Sequence, residues 1–307
     1  MPKESSISAT RIGIEIGGTK QQIVIGHSDG TIVDRCRFSV DPAGGGPVIR
    51  ERIAEELPTL ISKHQPERIG AGFGGPVDIA KGTIAVSHQI EGWSGFPLRD
   101  WLHDLTALPV AIENDANTAA LAEALCGAGR GFTSAFYMNM GSGVGGGLVV
   151  DGKIYHGDTP GEVEVGHLRL DSEGTTVEDR CSGWAVDRAI RDAIIDKPDS
   201  ILAQLIGEEK SGEAKHLAAA LEQGDPIARR ILEGVTGNLA LALSHVTHLF
   251  HPQVISLGGG LSLVGDPLCR GIAARLPGFL MEVYEAGPEI KLAELGEDAV
   301  PVGALLL

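Results

Sequence analysis

Aromatic residues are scarce in this chain, at 4%, and cysteine is scarcer, with four scattered thiols at Cys36, Cys126, Cys181 and Cys269. None forms a CxxC pair, a pattern that fits reduced thiols better than a disulfide frame. No stretch approaches the run of roughly 18 apolar residues needed to cross a membrane. The first residues, Met1 to Arg11, are polar and lack the apolar centre of a signal peptide. A soluble cytoplasmic protein is the expectation. Basic residues are also few, 25 Lys+Arg against 41 Asp+Glu, for a formal charge of −16. That balance argues against nucleic acid or an anionic membrane as partner, since both need a basic face. It leaves open a phosphate site made from backbone N–H groups. A P-loop is excluded because no GxxxxGK[ST] occurs.

Glycine is what the chain has in excess, 43 of 307 residues, about twice the usual share of roughly 7%. It has no collagen period and sits in clusters inside apolar sequence, and 43% of the chain is hydrophobic. The length suits two compact domains. Arg11–Ile16 alternates apolar and polar residues, Gly17-Gly18-Thr19-Lys20 follows, and a second apolar run ends near Gly26. After Ser28-Asp29-Gly30, Thr31–Val40 reads as a third strand, completing an antiparallel meander. The same grammar returns over Ser134–Met140, Gly141–Gly147, Leu148–Val150, Asp151-Gly152 and Lys153–Tyr155. Gly17 maps to Gly141 and Gly30 to Gly152 at nearly the same offset, which predicts a duplicated α/β architecture with one meander per domain.

Between and after the meanders the patterns predict a helix near Pro47–Lys63, a strand Arg68–Phe73, turns over Gly74–Gly82 and a strand Leu108–Glu113. They continue with a helix Ala116–Cys126, a helix from Gly183 to about Asp196, and helices across Ser200–Leu249. A buried strand Val254–Leu257 runs into Gly258-Gly259-Gly260, and a helix Pro267–Leu276 follows. The expected domains are 1–127 and 128–307, with a final helix Ala299–Leu307 packing back on the first.

Gly141-Ser142-Gly143-Val144-Gly145-Gly146 fits GxGxxG, but a strand follows where a dinucleotide site requires a helix. Each glycine turn reads either as a tight hairpin or as a nest of N–H groups with a hydroxyl, Thr19 or Ser142, for phosphate oxygens. Two such hairpins facing each other could clamp the phosphates of one nucleotide. Glu113-Asn114-Asp115-Ala116-Asn117 opens a helix at a strand end. Asn114 or Asp115 is there either a cap or a carboxylate placed to take a proton from a substrate hydroxyl.

In order and spacing, Glu15-Ile-Gly-Gly-Thr-Lys20, Glu113-Asn-Asp-Ala-Asn117, Gly141–Gly147 and Glu164-Val-Gly-His167 resemble the successive signatures of the ROK family of sugar kinases and related repressors. The resemblance runs from Arg11 to the end and implies the two-domain actin-like ATPase fold, with ATP and Mg²⁺ in an interdomain cleft and a hexose as acceptor. It implies Asp115 as general base, with Asn114, Glu164 and His167 on sugar hydroxyls. Gly17, Gly18, Thr19, Lys20, Gly141, Ser142 and Gly143 would line the phosphates, and Gly258, Gly259 and Gly260 the adenosine side. Gly74-Gly75-Pro76 resembles the family's Gly-Pro loop beside the sugar, and Gln89–Trp93 its loop ending in Gly-Trp. Glu15 stands where the family commonly has Asp and would reach Mg²⁺ through water, while Gln89 stands where Asn is usual.

Many family members carry a CxCGxxGCxE zinc cluster; the corresponding stretch here is Cys181-Ser-Gly-Trp-Ala-Val-Asp187. One Cys with His167 cannot complete a tetrahedral site, so no structural zinc is expected, and Asp187 becomes a further candidate sugar ligand. His245, His248 and His251 read as the end of a helix rather than a metal site, and Glu208–Lys215 as a solvated turn. Family repressors carry an N-terminal helix-turn-helix; only a short polar stretch precedes the first strand here, so no such module is expected. A sugar-binding regulator or an impaired kinase is the alternative to an active one, and the family expectation is a homodimer.

Overall fold

A computed structural model of the chain describes residues 9–18, 20–40, 44–87, 90–158, 163–284 and 286–307. The elements run β1 (Thr10–Ile16), β2 (Lys20–His27), β3 (Ile32–Ser39), α1 (Gly45–His64), β4 (Arg68–Phe73), β5 (Val77–Asp78), β6 (Thr83–Ile84), α2 (Leu98–Thr106), β7 (Val110–Asn114) and α3 (Asp115–Cys126). They continue β8 (Ser134–Met140), β9 (Val144–Val150), β10 (Lys153–Ile154), α4 (Val177–Cys181), α5 (Gly183–Ile194), α6 (Ile201–Ile206), α7 (Leu217–Glu222) and α8 (Pro226–Phe250). The last are β11 (Val254–Gly258), α9 (Asp266–Arg275), β12 (Glu289–Leu292) and α10 (Ala299–Leu306). The chain divides into two units, with unit 1 running up to Cys126 and unit 2 starting at Gly127. Two later stretches, one beginning at Ile154 and the other Glu297–Leu307, pack with unit 1.

Unit 1 holds a five-stranded sheet in the order β3-β2-β1-β4-β7. β1 and β2 pair antiparallel, as do β2 and β3, while β1, β4 and β7 are parallel. The period of two in β1 sorts its residues cleanly. Ile12, Ile14 and Ile16, with Ile23 and Ile25 of β2 and Ile69 and Phe73 of β4, share a core with Ile49, Ile53 and Leu57 of α1 and Leu98 and Leu102 of α2. The opposite face is almost bare. There Gly13 pairs with Gly70 and Glu15 with Gly72, and α10 and α3 lie directly on the strands. A Cβ on Gly70 would collide with the carbonyl of Ala304, one on Gly72 with Val300, and one on Gly303 with the carbonyl of Thr118.

Unit 2 repeats the plan in the order β10-β9-β8-β11-β12, with β8 and β9 antiparallel and β8, β11 and β12 parallel. Its core sets Phe136, Met138, Ile255 and Leu257 against Leu239, Leu243 and Val246 of α8. Asp225 starts α8 by accepting the N–H groups of Ile227 at 2.7 Å and Ala228 at 2.9 Å, with Pro226 at the first helical position. It also accepts the Leu202 N–H at 3.0 Å, tying α6 to α8. The repeated meander is therefore present as two equivalent sheets. The sequence patterns miss α2 and β12. The first is a short helix behind Pro97, and the second is four residues reading Glu-Ile-Lys-Leu, too short and half-charged to stand out from a loop.

The contact between α10 and the sheet yields a stability prediction. Gly70→Ala forces backbone apart and should cost about 1–3 kcal/mol. Gly234→Ala, inside α8 with open space around it, should instead stabilise by roughly 0.5–1 kcal/mol. Urea unfolding of both variants checks this; an unchanged midpoint for Gly70→Ala would contradict the close approach.

Candidate active site

Because β1, β4 and β7 are parallel, their C-terminal ends Ile16, Phe73 and Asn114 lie side by side, and the loops that follow share one edge of unit 1. That edge is where parallel α/β sheets place ligands. The Gly74 N–H bonds the Ile16 carbonyl at 2.9 Å. A Cβ on Gly74 would sit 3.5 Å from an Asp115 carboxylate oxygen and 3.6 Å from Gly17 Cα. Asp115, Gly17 and Gly74 thus converge. Asp115 is half-buried as the first residue of α3, and its Oδ1 accepts the Ala116 N–H at 2.8 Å.

Asn114 is a cap and a clasp. Its Oδ1 accepts the N–H groups of Ala116 at 2.8 Å and Asn117 at 3.1 Å, and its Nδ2 donates to the Gly75 carbonyl at 3.1 Å. The capping alternative raised for Asn114 is therefore realised, and the same side chain ties the Gly-Pro loop to α3. Glu113 and Asn117, which the motif contains but the sequence reading leaves without a role, are buried beneath it. Glu113 Oε1 accepts from Asn114 N–H at 2.9 Å and Asn117 Nδ2 at 3.0 Å, and its Oε2 lies 2.7 Å from His156 Nε2. No local pattern links residue 113 to residue 156, so only the fold reveals this pair.

Glu15 is buried, and its Oε2 accepts a short bond from Gln22 Nε2. Gln22 Oε1 in turn accepts from Arg35 at 3.0 Å, and Arg35 pairs with Asp298 at 2.6 Å. Gly17 and Gly18 follow β1 half-buried, and Lys20 opens β2; Thr19 and Gln89 lie outside the described residues. The loop that contains Gln89 is anchored at its far end. Trp93 is fully buried, edge-on to Phe73 and Phe96 at 5.3 Å each, and Arg50 donates to the Gly92 carbonyl at 2.7 Å.

In unit 2 the second glycine hairpin, Gly141–Gly143, joins β8 to β9. Two of its bonds are internal to the unit: the Gly141 N–H donates to the Gly143 carbonyl at 2.9 Å, and the Gly141 carbonyl accepts from Gly183 at 2.7 Å. Glu178, which the sequence reading does not single out, accepts the Val144 N–H at 2.8 Å and faces Gly143. Glu164 and His167 are exposed at the two ends of one 3₁₀ turn. Gly166 within that turn packs against the Val144 carbonyl, which sets the turn against the start of β9. Gly258 and Gly259 abut Tyr137 and the Met140 backbone, so both act in strand packing, and Gly259 has φ +81°; only Gly260 faces open space.

Two expectations need correction. Asp187 is not presented to a sugar: it is buried, with Oδ1 accepting the Ala214 N–H at 2.7 Å and Oδ2 the Gly212 N–H at 3.1 Å. The Glu208–Lys215 run is not wholly solvated, since Glu213 is fully buried and bonded to Arg191 at 2.6 Å. The histidines before Pro252 do lie at the end of α8, as the sequence suggests. His248 Nε2 accepts the Met281 N–H at 3.2 Å, and His251 ends α8 with φ +49° against Tyr284.

Comparison with known proteins supplies the context. Residues 11–307 match the ROK family. The glucokinase of Halalkalibacterium halodurans is 31% identical over 95% of this chain and 92% of its own length, and that of Thermotoga maritima is 30% identical over 95% of each. A crystal structure of a ROK family glucokinase from Streptomyces griseus in complex with glucose and AMPPNP superposes with a TM-score of 0.81. It is 29% identical and covers 97% of this chain and 98% of that one. The paired sheets are those of the two-domain actin-like ATPase fold.

Cys181, in the stretch that corresponds to the family's zinc cluster, is fully buried, with its Sγ directed at the Val235 carbonyl at 3.9 Å. Burial pushes its thiol up to about 12, and burial with the nearby Asp266 carboxylate pushes Cys269 up to about 11. Since the thiolate is the reactive form, Cys181 should resist a disulfide reagent at pH 8 in the native protein and react on unfolding. Rapid native-state labelling of Cys181, read by mass spectrometry, would contradict this placement.

Proposed function

From its place in the ROK family, to which this chain belongs as a sugar kinase, we propose that the protein phosphorylates a hexose hydroxyl from ATP, with glucose the first candidate. One observation carries the proposal: the Asp115 carboxylate sits at the start of α3 against Gly74 and beside Gly17, where three parallel strands end. The relatives named glucokinases, and the glucose- and AMPPNP-bound Streptomyces structure, support the choice of sugar and donor.

Asp115 Oδ1 is engaged with the start of α3, which holds the carboxylate in place while it accepts the proton of the attacking hydroxyl. Phosphoryl transfer asks chiefly for positioning and charge stabilisation. Backbone amides of the Gly17-Gly18 and Ser142-Gly143 turns are the donors proposed for phosphate oxygens, and they require no basic residue. Glu164 and His167, exposed on one short turn, are proposed to bind sugar hydroxyls. The Glu15 carboxylate is a hard oxygen donor of the kind that holds Mg²⁺, here through water, together with nucleotide phosphates. Bound there, the ion would neutralise charge on the transferring group. Glu15 is aligned for this by Gln22 and, behind it, Arg35 and Asp298.

Asp115→Asn keeps the size and the cap geometry but removes the base. It should lower kcat by about 10²–10⁴-fold while leaving the KM values for glucose and ATP nearly unchanged. A coupled ADP-release assay over a panel of hexoses measures both the activity and its loss. A folded Asp115→Asn protein with near-normal kcat would refute the assignment of the base.

A further inference from the structure

Glu113 lies one residue before Asn114 and is only 3% exposed. A carboxylate so enclosed needs hydrogen-bond partners, and three groups meet it here. Asn114 N–H and Asn117 Nδ2 converge on Oε1, and His156 Nε2 meets Oε2 at 2.7 Å. The first two donors sit on the last residue of β7 and in the first turn of α3, on either side of Asp115. The third comes from far along the chain. His156 follows β10 on a stretch that lies, in sequence, between two portions of unit 2 while packing with unit 1. Its side chain is 33% exposed, so it is not filler of the core. It is the external support of an otherwise local clamp.

We propose that His156 is a positioning residue for phosphoryl transfer. By supplying the third donor to Glu113 it fixes the strand-to-helix junction from which Asp115 projects. The inference rests on the kinase reading above. Removing His156 leaves the buried Oε2 of Glu113 without that partner, so the junction shifts toward a new donor. A displacement of roughly 1 Å at a reacting group can cost as much as 10²-fold in rate. Asp115 sits two residues from the perturbed carboxylate, whereas the glycine turns proposed for phosphate belong to other loops. The loss should therefore fall on kcat and spare nucleotide affinity.

The test compares His156→Ala and His156→Gln in the full-length protein, each with Asp115 intact and in an Asp115→Asn background. His156→Ala should lower kcat about tenfold or more with KM for ATP within about twofold. His156→Gln, whose amide can donate the same bond, should recover most of that loss. In the Asp115→Asn background, His156→Ala should cost nothing further, because the route of its effect is gone. The proposal is overturned by unchanged kcat in a folded His156→Ala protein, by a Gln variant no better than Ala, or by an equal loss without Asp115. Should the Ala variant not fold, His156→Asn, with a donor too short to reach, replaces it with the same expected loss. A wild-type chain that phosphorylates no hexose would remove the kinase reading and this inference together; an active wild type with unaffected variants removes this inference alone.

Discussion

The contact on which unit 1 depends is backbone against backbone: the carbonyl of Ala304 in α10 lies where Gly70 of β4 would carry a side chain, and the carbonyl of Thr118 in α3 lies where Gly303 would. A helix normally stands about 10 Å from a sheet because side chains separate them. Here the Gly13–Gly70 pair, Gly72 and Gly303 remove that spacer, so α3, α10 and the strands lock at one distance. The active edge inherits this rigidity. Asp115 is the first residue of α3, and Glu297 and Asp298, just ahead of α10, reach the Gln22 and Arg35 side chains that orient Glu15. Both carboxylates proposed for catalysis are thus placed by the same helix-to-sheet packing.

Much of this was legible in the chain, and its limits are physical. The duplicated meander could be read because its Gly-Gly and Asp-Gly turns are local, and each copy became a five-stranded sheet. The strand end that opens into α3 was readable for the same reason. The glycine surplus was read mainly as ligand loops, whereas Gly13, Gly70, Gly166, Gly258, Gly259 and Gly303 serve close packing inside each unit. Composition cannot separate the two uses, because both follow from the absence of a Cβ. Asp187 and Glu213 show the converse. An acidic residue in a polar stretch looks solvent-bound or functional until the fold brings backbone amides or an arginine to it.

Long-range partners were the least legible. His156 and Glu113 come from different segments, as do Glu178 and Val144, and neither pair leaves a periodic trace. Glu178 also alters the picture of its hairpin. A carboxylate already occupies one amide there, so the anion-binding capacity of that turn is smaller than its glycine count implies. A motif lists donors, while the structure shows which have been spent.

The placement of Glu297–Leu307 bears on the order in which the protein comes into being. Synthesis completes the five strands of the first sheet and α3 early, yet the glycine-lined side of β1 and β4 waits for α10 until all of unit 2 has been made. Through that interval the nascent chain carries a sheet with part of one side uncovered, the kind of surface that invites aggregation. Asp115 opens α3, against which α10 packs, so the setting of that carboxylate should be complete only once α10 has been added.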